Sequence, residues 1–194
     1  MKKVTTAERI AEEALKILDK EGADAVSMRR VAQVVGITPM AIYHHFPNRD
    51  ALLNFVVDRE FEKFLEYIQA PPPRGSVESR LLGSMDSYIS YAFDRPRIFD
   101  YVFSQPRPNA RRYPDDFRAR RSPTLNPIAD LVAQAMESGY LKRDDVWEIA
   151  LELWAHAHGY VMLYRGGRFH LSETDFRALV RRSFRRLIRG LKNK

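Results

Sequence analysis

Between Met28 and Phe46 the chain has room for two short helices and almost nothing between them. Ser27 offers a side-chain oxygen ahead of the first, whose inward residues are Val31, Ala32 and Val35, and Gly36 supplies the left-handed residue that ends it. Thr38 caps a second helix at once, with Pro39 at the first helical position, where its missing N–H costs nothing. Ala32 is small where the two helices must approach, and Ile42 and Phe46 face inward one turn apart. These are the needs of a helix-turn-helix: a turn residue tolerant of positive φ, a small side chain at the crossing, and a second helix left mostly polar on its outer side. Stepping 100° per residue from Ile42 turns Met40 and His44 away from the core and puts Ala41 and Tyr43 on the flanks.

The rest of the chain keeps helical period. Thr5 to Glu8 has capping-box spacing and Ile10, Ala11, Ala14, Leu15, Ile17 and Leu18 follow on one face before Gly22 stops the run. Pro47-Asn48 breaks the helix-turn-helix, and Asn48 caps a long helix from Arg49 to about Gln69 that Pro71-Pro72-Pro73 ends. Further helices are expected near Val77 to Phe93, Pro96 to Phe103, Asp115 to Ser138, Asp144 to Tyr164 and Glu173 to Leu191. Ser104 to Thr124, rich in Pro and Arg, reads as a mobile loop. No segment alternates like a strand, so the expected fold is all-α. Residues 1–48 form a helix-turn-helix head, and residues 49–194 a sensing and dimerising helical bundle whose residues 49–70 are the connecting helix.

Composition narrows the chemistry. The 194 residues contain no cysteine, which removes disulfides, thiolate nucleophiles and cysteine-held metals. There is no Gly-rich phosphate loop and no His-Glu-x-x-His, so neither an enzyme nor a resident cofactor or metal is expected. The first residues turn polar at once and no apolar run approaches ~18 residues, so a cytoplasmic protein without a membrane span is expected.

A net charge of +7 favours a polyanionic partner, and its placement says more than its size. Ser27 to Arg49 carries Arg29, Arg30 and Arg49 and no carboxylate. All three sit in first turns of helices, where the helix dipole disfavours a cation by ~0.3–1 kcal/mol. Duplex phosphates lying across these helix starts would offset that cost; solvated surface arginines are the plainer reading.

Ala32 to Val35, Gly36-Ile37-Thr38, Ile42 to Phe46 and Pro47 to Leu52 together resemble the signature of the TetR (tetracycline-repressor) family of regulators, over about the first quarter of the chain. The resemblance implies an all-helical homodimer whose heads enter successive major grooves of a DNA operator. It makes Thr38, Met40, Ala41, Tyr43 and His44 groove or backbone contacts, and His45 and Arg49 phosphate contacts, with Arg49 standing where lysine is more usual. A packed flank position is the other reading of His45. Farther on, Trp154 to Gly159 resembles the Trp-x-x-x-His-Gly motif of one subgroup of that family.

Trp154 and His158 share a helix face and can line a ligand site or simply fill a core. His156 and His158 diverge, which argues against one metal between them. Tyr88, Phe103, Trp154, His158 and Met162 are the candidate contacts for a largely apolar small-molecule effector; the arginines from Arg95 to Arg121 could instead attract an anion. On the last helix Phe176, Leu179, Val180, Phe184, Leu187, Ile188 and Leu191 form one apolar stripe. Of these, Phe176, Val180, Phe184, Leu187 and Leu191 are candidates for a dimer interface, with Glu148 and Glu152 placed to pair with the arginines of that helix. The expected function is a ligand-responsive DNA-binding regulator, in the first place a repressor released by a small molecule. The alternatives are a ligand-dependent activator and a sequence-tolerant architectural protein.

Overall fold

The computed structural model describes residues 4–69, 75–104, 106 and 110–193; the proline run at 71–73 and Arg107 of the Arg-rich loop lie outside the described residues. The helices are α1 (Thr6–Glu21), α2 (Met28–Val35), α3 (Pro39–Tyr43), α4 (Arg49–Gln69), α5 (Val77–Asp94), α6 (Pro96–Phe99), α7 (Asp115–Arg118), α8 (Asn126–Glu137), α9 (Val146–Arg165) and α10 (Glu173–Leu191). No strand occurs among the described residues; one isolated bridge joins Leu141 to Lys192. Two compact units form, one of Met1–Lys63 with Asp94–Ala110, the other of Phe64–Phe93 with Arg111–Lys194. The head expected at residues 1–48 is therefore part of a larger unit that takes in most of α4 and a segment from the middle of the chain.

In the first unit local sequence decides the helix ends. Thr5 Oγ1 accepts from the Glu8 amide while the Glu8 carboxylate accepts from the Thr5 amide at 2.7 Å, a reciprocal capping box. Ser27 and Thr38 accept from the Arg30 and Ala41 amides, and Asn48 Oδ1 accepts from that of Ala51 at 2.8 Å. Gly36 closes α2 with φ 78° and ψ 34°, a left-handed conformation that a side chain would strain. Ile10, Ala14, Leu18, Val31, Ala32 and Ile42 are buried, and Phe46 meets Phe55 edge-on at 5.4 Å. The helix expected from Pro96 to Phe103 is short-lived: after Phe99 it widens into a π turn over Asp100–Ser104.

Arg97 donates to the Asp19 carbonyl at 3.0 Å and to that of Lys20, closing the carboxyl end of α1. Arg95 reaches Asp19 at 3.7 Å and the buried Glu60 at 3.5 Å, and Lys63 reaches Glu60 at 2.8 Å.

The second unit is built from α5, α8, α9 and α10. Asp115 to Ser138, expected as one helix, is two, with turns between Arg118 and Asn126. Pro123 withholds a backbone donor and biases Ser122 away from helix, Arg120 adopts φ 57°, and Pro127 fits the first turn of a fresh helix. Helices α9 and α10 run antiparallel: Tyr160 donates to Ser183 Oγ at 3.0 Å, and the Tyr164 and Phe176 rings lie 4.4 Å apart.

The apolar stripe of α10 is buried inside its own chain. Phe176, Val180, Phe184 and Ile188 are 3% exposed or less, with Phe176 enclosed by Phe93, Tyr160, Tyr164 and Phe169. Phe176, Val180 and Phe184 therefore leave no surface for a second copy, contrary to the expectation above, while Leu187 and Leu191 are half-buried. The cause is ordinary: an amphipathic stripe buries against the first apolar surface available, and α5 and α9 supply it intramolecularly.

Candidate nucleic-acid interface and effector cavity

Helix α3 holds its outward face on a single anchor. Ile42 is fully buried, while Met40 is 71% and Tyr43 50% exposed, an unusual display for large apolar groups. Thr38, His44 and His45 are exposed beside them and Ala41 is half-buried. Arg29 is exposed as well. Most of the residues expected at a groove are thus exposed on and beside the α2–α3 turn.

The other two arginines do not need an outside anion. Arg30 makes a two-pronged contact with Glu21, at 2.9 and 2.5 Å, and its hydrogen bond holds the Glu21 carboxyl below the usual carboxylate range. Arg49 turns back on the preceding loop, donating from Nε to the Val26 carbonyl at 2.8 Å and from Nη2 to that of Ala23 at 2.5 Å. Its guanidinium closes the 3₁₀ turn Ala23–Ala25 onto the start of α4. The dipole cost inferred from sequence is offset here by the protein's own oxygens, and lysine, with a single point charge, could not span both carbonyls. Nothing in the spacing of the sequence pointed to those carbonyls.

Inside the second unit Leu81, Ser84, Met85 and Tyr88 of α5, Trp154 of α9 and Phe184 of α10 surround a cavity of about 20 Å³. That is room for about one water. Its wall is almost wholly apolar, apart from the Ser84 hydroxyl, which has no partner among the described residues, and the Tyr88 hydroxyl. Tyr88 shares a hydrogen bond of 2.8 Å with His158 Nδ1, and burial pushes its hydroxyl well above the ordinary phenol range. The Trp154 and His158 rings lie 5.8 Å apart. Of the effector contacts expected from sequence, Tyr88 and Trp154 line the cavity and His158 stands behind Tyr88. Phe103 packs with Phe61 and Phe99 in the first unit, and Met162 is 38% exposed on the outer side of α9. Ser84, a small polar residue on the buried face of α5, was the available signal for this cavity.

Three arginines of the Arg-rich loop are paired with carboxylates. Arg118 pairs with Asp145 at 2.8 Å, Arg120 with Asp130 at 3.0 Å and Arg121 with Asp116 at 3.3 Å. Arg118 holds the Asp145 carboxyl below its usual range, so these three arginines are engaged within the chain. No group of His, Asp and Glu among the described residues could hold a metal ion, and no helix of the described residues is long and apolar enough to cross a membrane.

Residues 81–191 match the family described as tetracyclin repressor-like, C-terminal domain, and residues 10–56 match bacterial regulatory proteins, tetR family. The HTH-type transcriptional repressor DrrR1 of Streptomyces coeruleorubidus is 40% identical over 58 residues, which is 30% of this chain and 22% of that protein. An uncharacterized HTH-type transcriptional regulator of Mycobacterium tuberculosis is 24% identical over 168 residues, covering 87% of this chain and 74% of its own length. Regulators of Staphylococcus aureus match over about half of their length. Among solved structures, a protein of unknown function from Rhodococcus sp. RHA1 shares the fold with a TM-score of 0.82 at 20% identity, covering 99% of this chain and 98% of its own. The fatty acid degradation regulator FadR from Bacillus halodurans does so with a TM-score of 0.72 at 16% identity over all of both chains.

Proposed function

The chain belongs to the tetR family of bacterial regulatory proteins, helix-turn-helix transcriptional regulators and not enzymes, and from that premise we propose a cytoplasmic homodimeric repressor released from its operator by a small, largely apolar effector. The observation that carries the reading is the outward display of Met40 and Tyr43 on a helix start fixed from behind by Ile42. In this reading residues 1–48 are the DNA-binding domain. Met40, Ala41, Tyr43 and His44 meet base edges, and Arg29, Thr38 and His45 meet phosphates. Arg30 and Arg49 act mainly by fixing the frame, with their remaining N–H groups free to meet the duplex backbone.

The effector enters the second unit between α5 and α9. A small-molecule site usually needs ~300–1,000 Å³, far more than the present void, so the bound state is one with parted walls. An apolar molecule with one polar atom suits the lining, with Ser84 and Tyr88 as its hydrogen-bonding groups. The segment Trp154 to Gly159 supports placement in the subgroup with the Trp-x-x-x-His-Gly motif. Helix α5 ends at Asp94, where the chain enters the first unit, so displacing α5 pulls on that unit. Half-sites one helical turn apart require heads ~34–36 Å apart, and couplings of ~1–3 kcal/mol lower affinity by roughly 5–150-fold.

The test is binding to the DNA flanking the chain's own gene against a scrambled duplex at physiological salt, with and without a panel of apolar effectors. Selective binding that an effector weakens supports the reading. Equal binding to both duplexes overturns specific regulation from that site, and affinity unchanged across a broad panel overturns the effector mechanism alone.

A further inference from the structure

We propose that Ser84 chooses the effector: the cavity walled by α5, α8, α9 and α10 takes an uncharged, largely apolar molecule whose one oxygen, a ketone or ester carbonyl, accepts a hydrogen bond from the Ser84 hydroxyl. The inference rests on the effector reading above and adds the chemical class that the site admits.

The two hydroxyls on the wall stand differently. Tyr88 is committed: its hydroxyl shares the 2.8 Å hydrogen bond with His158 Nδ1 and accepts from the Trp154 indole N–H, a group that can only donate. Its ring packs edge-on against Phe64 at 5.9 Å. Bonds on two sides and a ring behind fix Tyr88 as wall. Ser84, one turn earlier on the same face of α5, is 4% exposed, and its Oγ has no hydrogen-bond partner among the described residues. It makes no bond back to a carbonyl of the preceding turn, the usual recourse of a serine inside a helix. Alanine here would suit the helix better and bury no polar group, so Ser84 costs the unliganded fold stability, and a bound molecule that takes its hydrogen bond offsets that cost.

What the rest of the wall lacks sets the class. Leu81, Met85, Leu153, Ala157 and Phe184 bring no side-chain nitrogen or oxygen, and no charged residue and no histidine lines the cavity. A carboxylate or phosphate would give up its water for a single hydroxyl, so anions are refused. A hydrocarbon would leave the Ser84 O–H unmet, and an unmade buried donor is the costlier kind of orphan, so the ligand atom facing Ser84 is an acceptor. A carbonyl oxygen needs nothing further from the wall. An alcohol brings a second O–H that must find its own acceptor, with Tyr88 already engaged on two sides. Space for the remainder of the molecule comes from Met85, which is unbranched and adaptable, and from Ile128 of α8, which is half-buried.

The test follows thermal unfolding of the full chain and of Ser84→Ala as 2-heptanone, 1-heptanol, heptanoate or heptane is added, which converts each shift into an affinity. Ser84→Ala should weaken 2-heptanone by about tenfold, weaken 1-heptanol less and leave heptane unchanged, while heptanoate binds the parent at least about tenfold more weakly than the ketone does. Without ligand the variant should unfold at the parent's temperature or above it. A variant less stable than the parent would give Ser84 a structural bond and overturn the inference. Equal ketone affinities in parent and variant, a larger loss for 1-heptanol than for the ketone, heptanoate bound as tightly as the ketone, or no binding of any of the four would overturn it too. The expected pattern with operator affinity unchanged keeps the site and overturns the effector mechanism. Operator release by a compound to which Ser84→Ala is indifferent does the opposite.

Discussion

The arginines of the head and those of the last helix look alike in sequence and are used differently. In the head, Arg30 and Arg49 close on Glu21 and on the Ala23 and Val26 carbonyls, so the cations build the frame and the outward positions fall to Met40, Tyr43 and His44. On α10 the arginines split into two rows, Arg177, Arg181 and Arg185 engaged by Ser90, Asp86 and Glu78, and Arg182, Arg186 and Arg189 left outward without a carboxylate partner among the described residues. A cation in a helix is thus assigned by what its face meets, and a count of charges says little about which will reach a partner.

The harshest way to break the comparison is to ask whether the apolar side of α10 is core or interface. Phe176 is fully buried among four rings of its own chain, so Phe176→Ala should cost ~3–5 kcal/mol of unfolding free energy. The loss should persist when chemical denaturation is followed at protein concentrations low enough to dissociate a dimer. A loss that appears only where the chain is associated would return the stripe to the interface.

Helix ends and the α2–α3 turn were legible because their causes are local. The Thr5–Glu8 box, Gly36, Thr38-Pro39 and Asn48 each act on groups within four residues. The carbonyls that Arg49 finds and the carboxylates that Arg181 and Arg185 find lie far off in sequence, and spacing carries no record of them. The merged helix over Asp115 to Ser138 failed for another reason: apolar period was allowed to override Pro123 and Pro127. Of the candidate site, the exposure of the α3 face was readable and the cavity proposed for an effector only in part, since Ser84 and Phe184 meet there through tertiary packing.

Arg49 sharpens the head side of the contrast. Its side chain is 37% exposed, and removing the guanidinium would leave the Val26 and Ala23 carbonyls without this donor. Arg49→Ala should therefore destabilise the chain by ~1–2 kcal/mol, and Arg49→Lys should recover only part of that. A pure phosphate contact would behave otherwise, leaving stability alone and lowering the salt slope of duplex binding by about one. Tyr43→Ala should do the reverse of Arg49→Ala: unchanged thermal unfolding, with operator affinity lower by about tenfold and little change on a scrambled duplex. Equal losses on both duplexes would make Tyr43 a backbone contact.

The engaged row of α10 supplies the smallest effect. Glu78 accepts from the Tyr140 hydroxyl at 2.5 Å and from Lys192 at 3.1 Å, with Arg185 nearby, and these contacts hold its carboxyl below the ordinary value of 4.5. A depressed carboxylate stabilises the fold above its unfolded-state pKa and loses that contribution as pH falls through the folded one. Glu78→Gln should therefore lower stability at neutral pH by less than about 1 kcal/mol, with the gap to the parent closing below pH ~4.5 as the parent's carboxyl takes its proton. Arg186→Ala, on the outward row, should leave monomer stability unchanged at every pH. A gap for Glu78→Gln that is independent of pH would mean that shape and hydrogen bonding, and not charge, join Glu78 to the end of α10, and the division of the arginines into engaged and outward rows would lose its electrostatic basis.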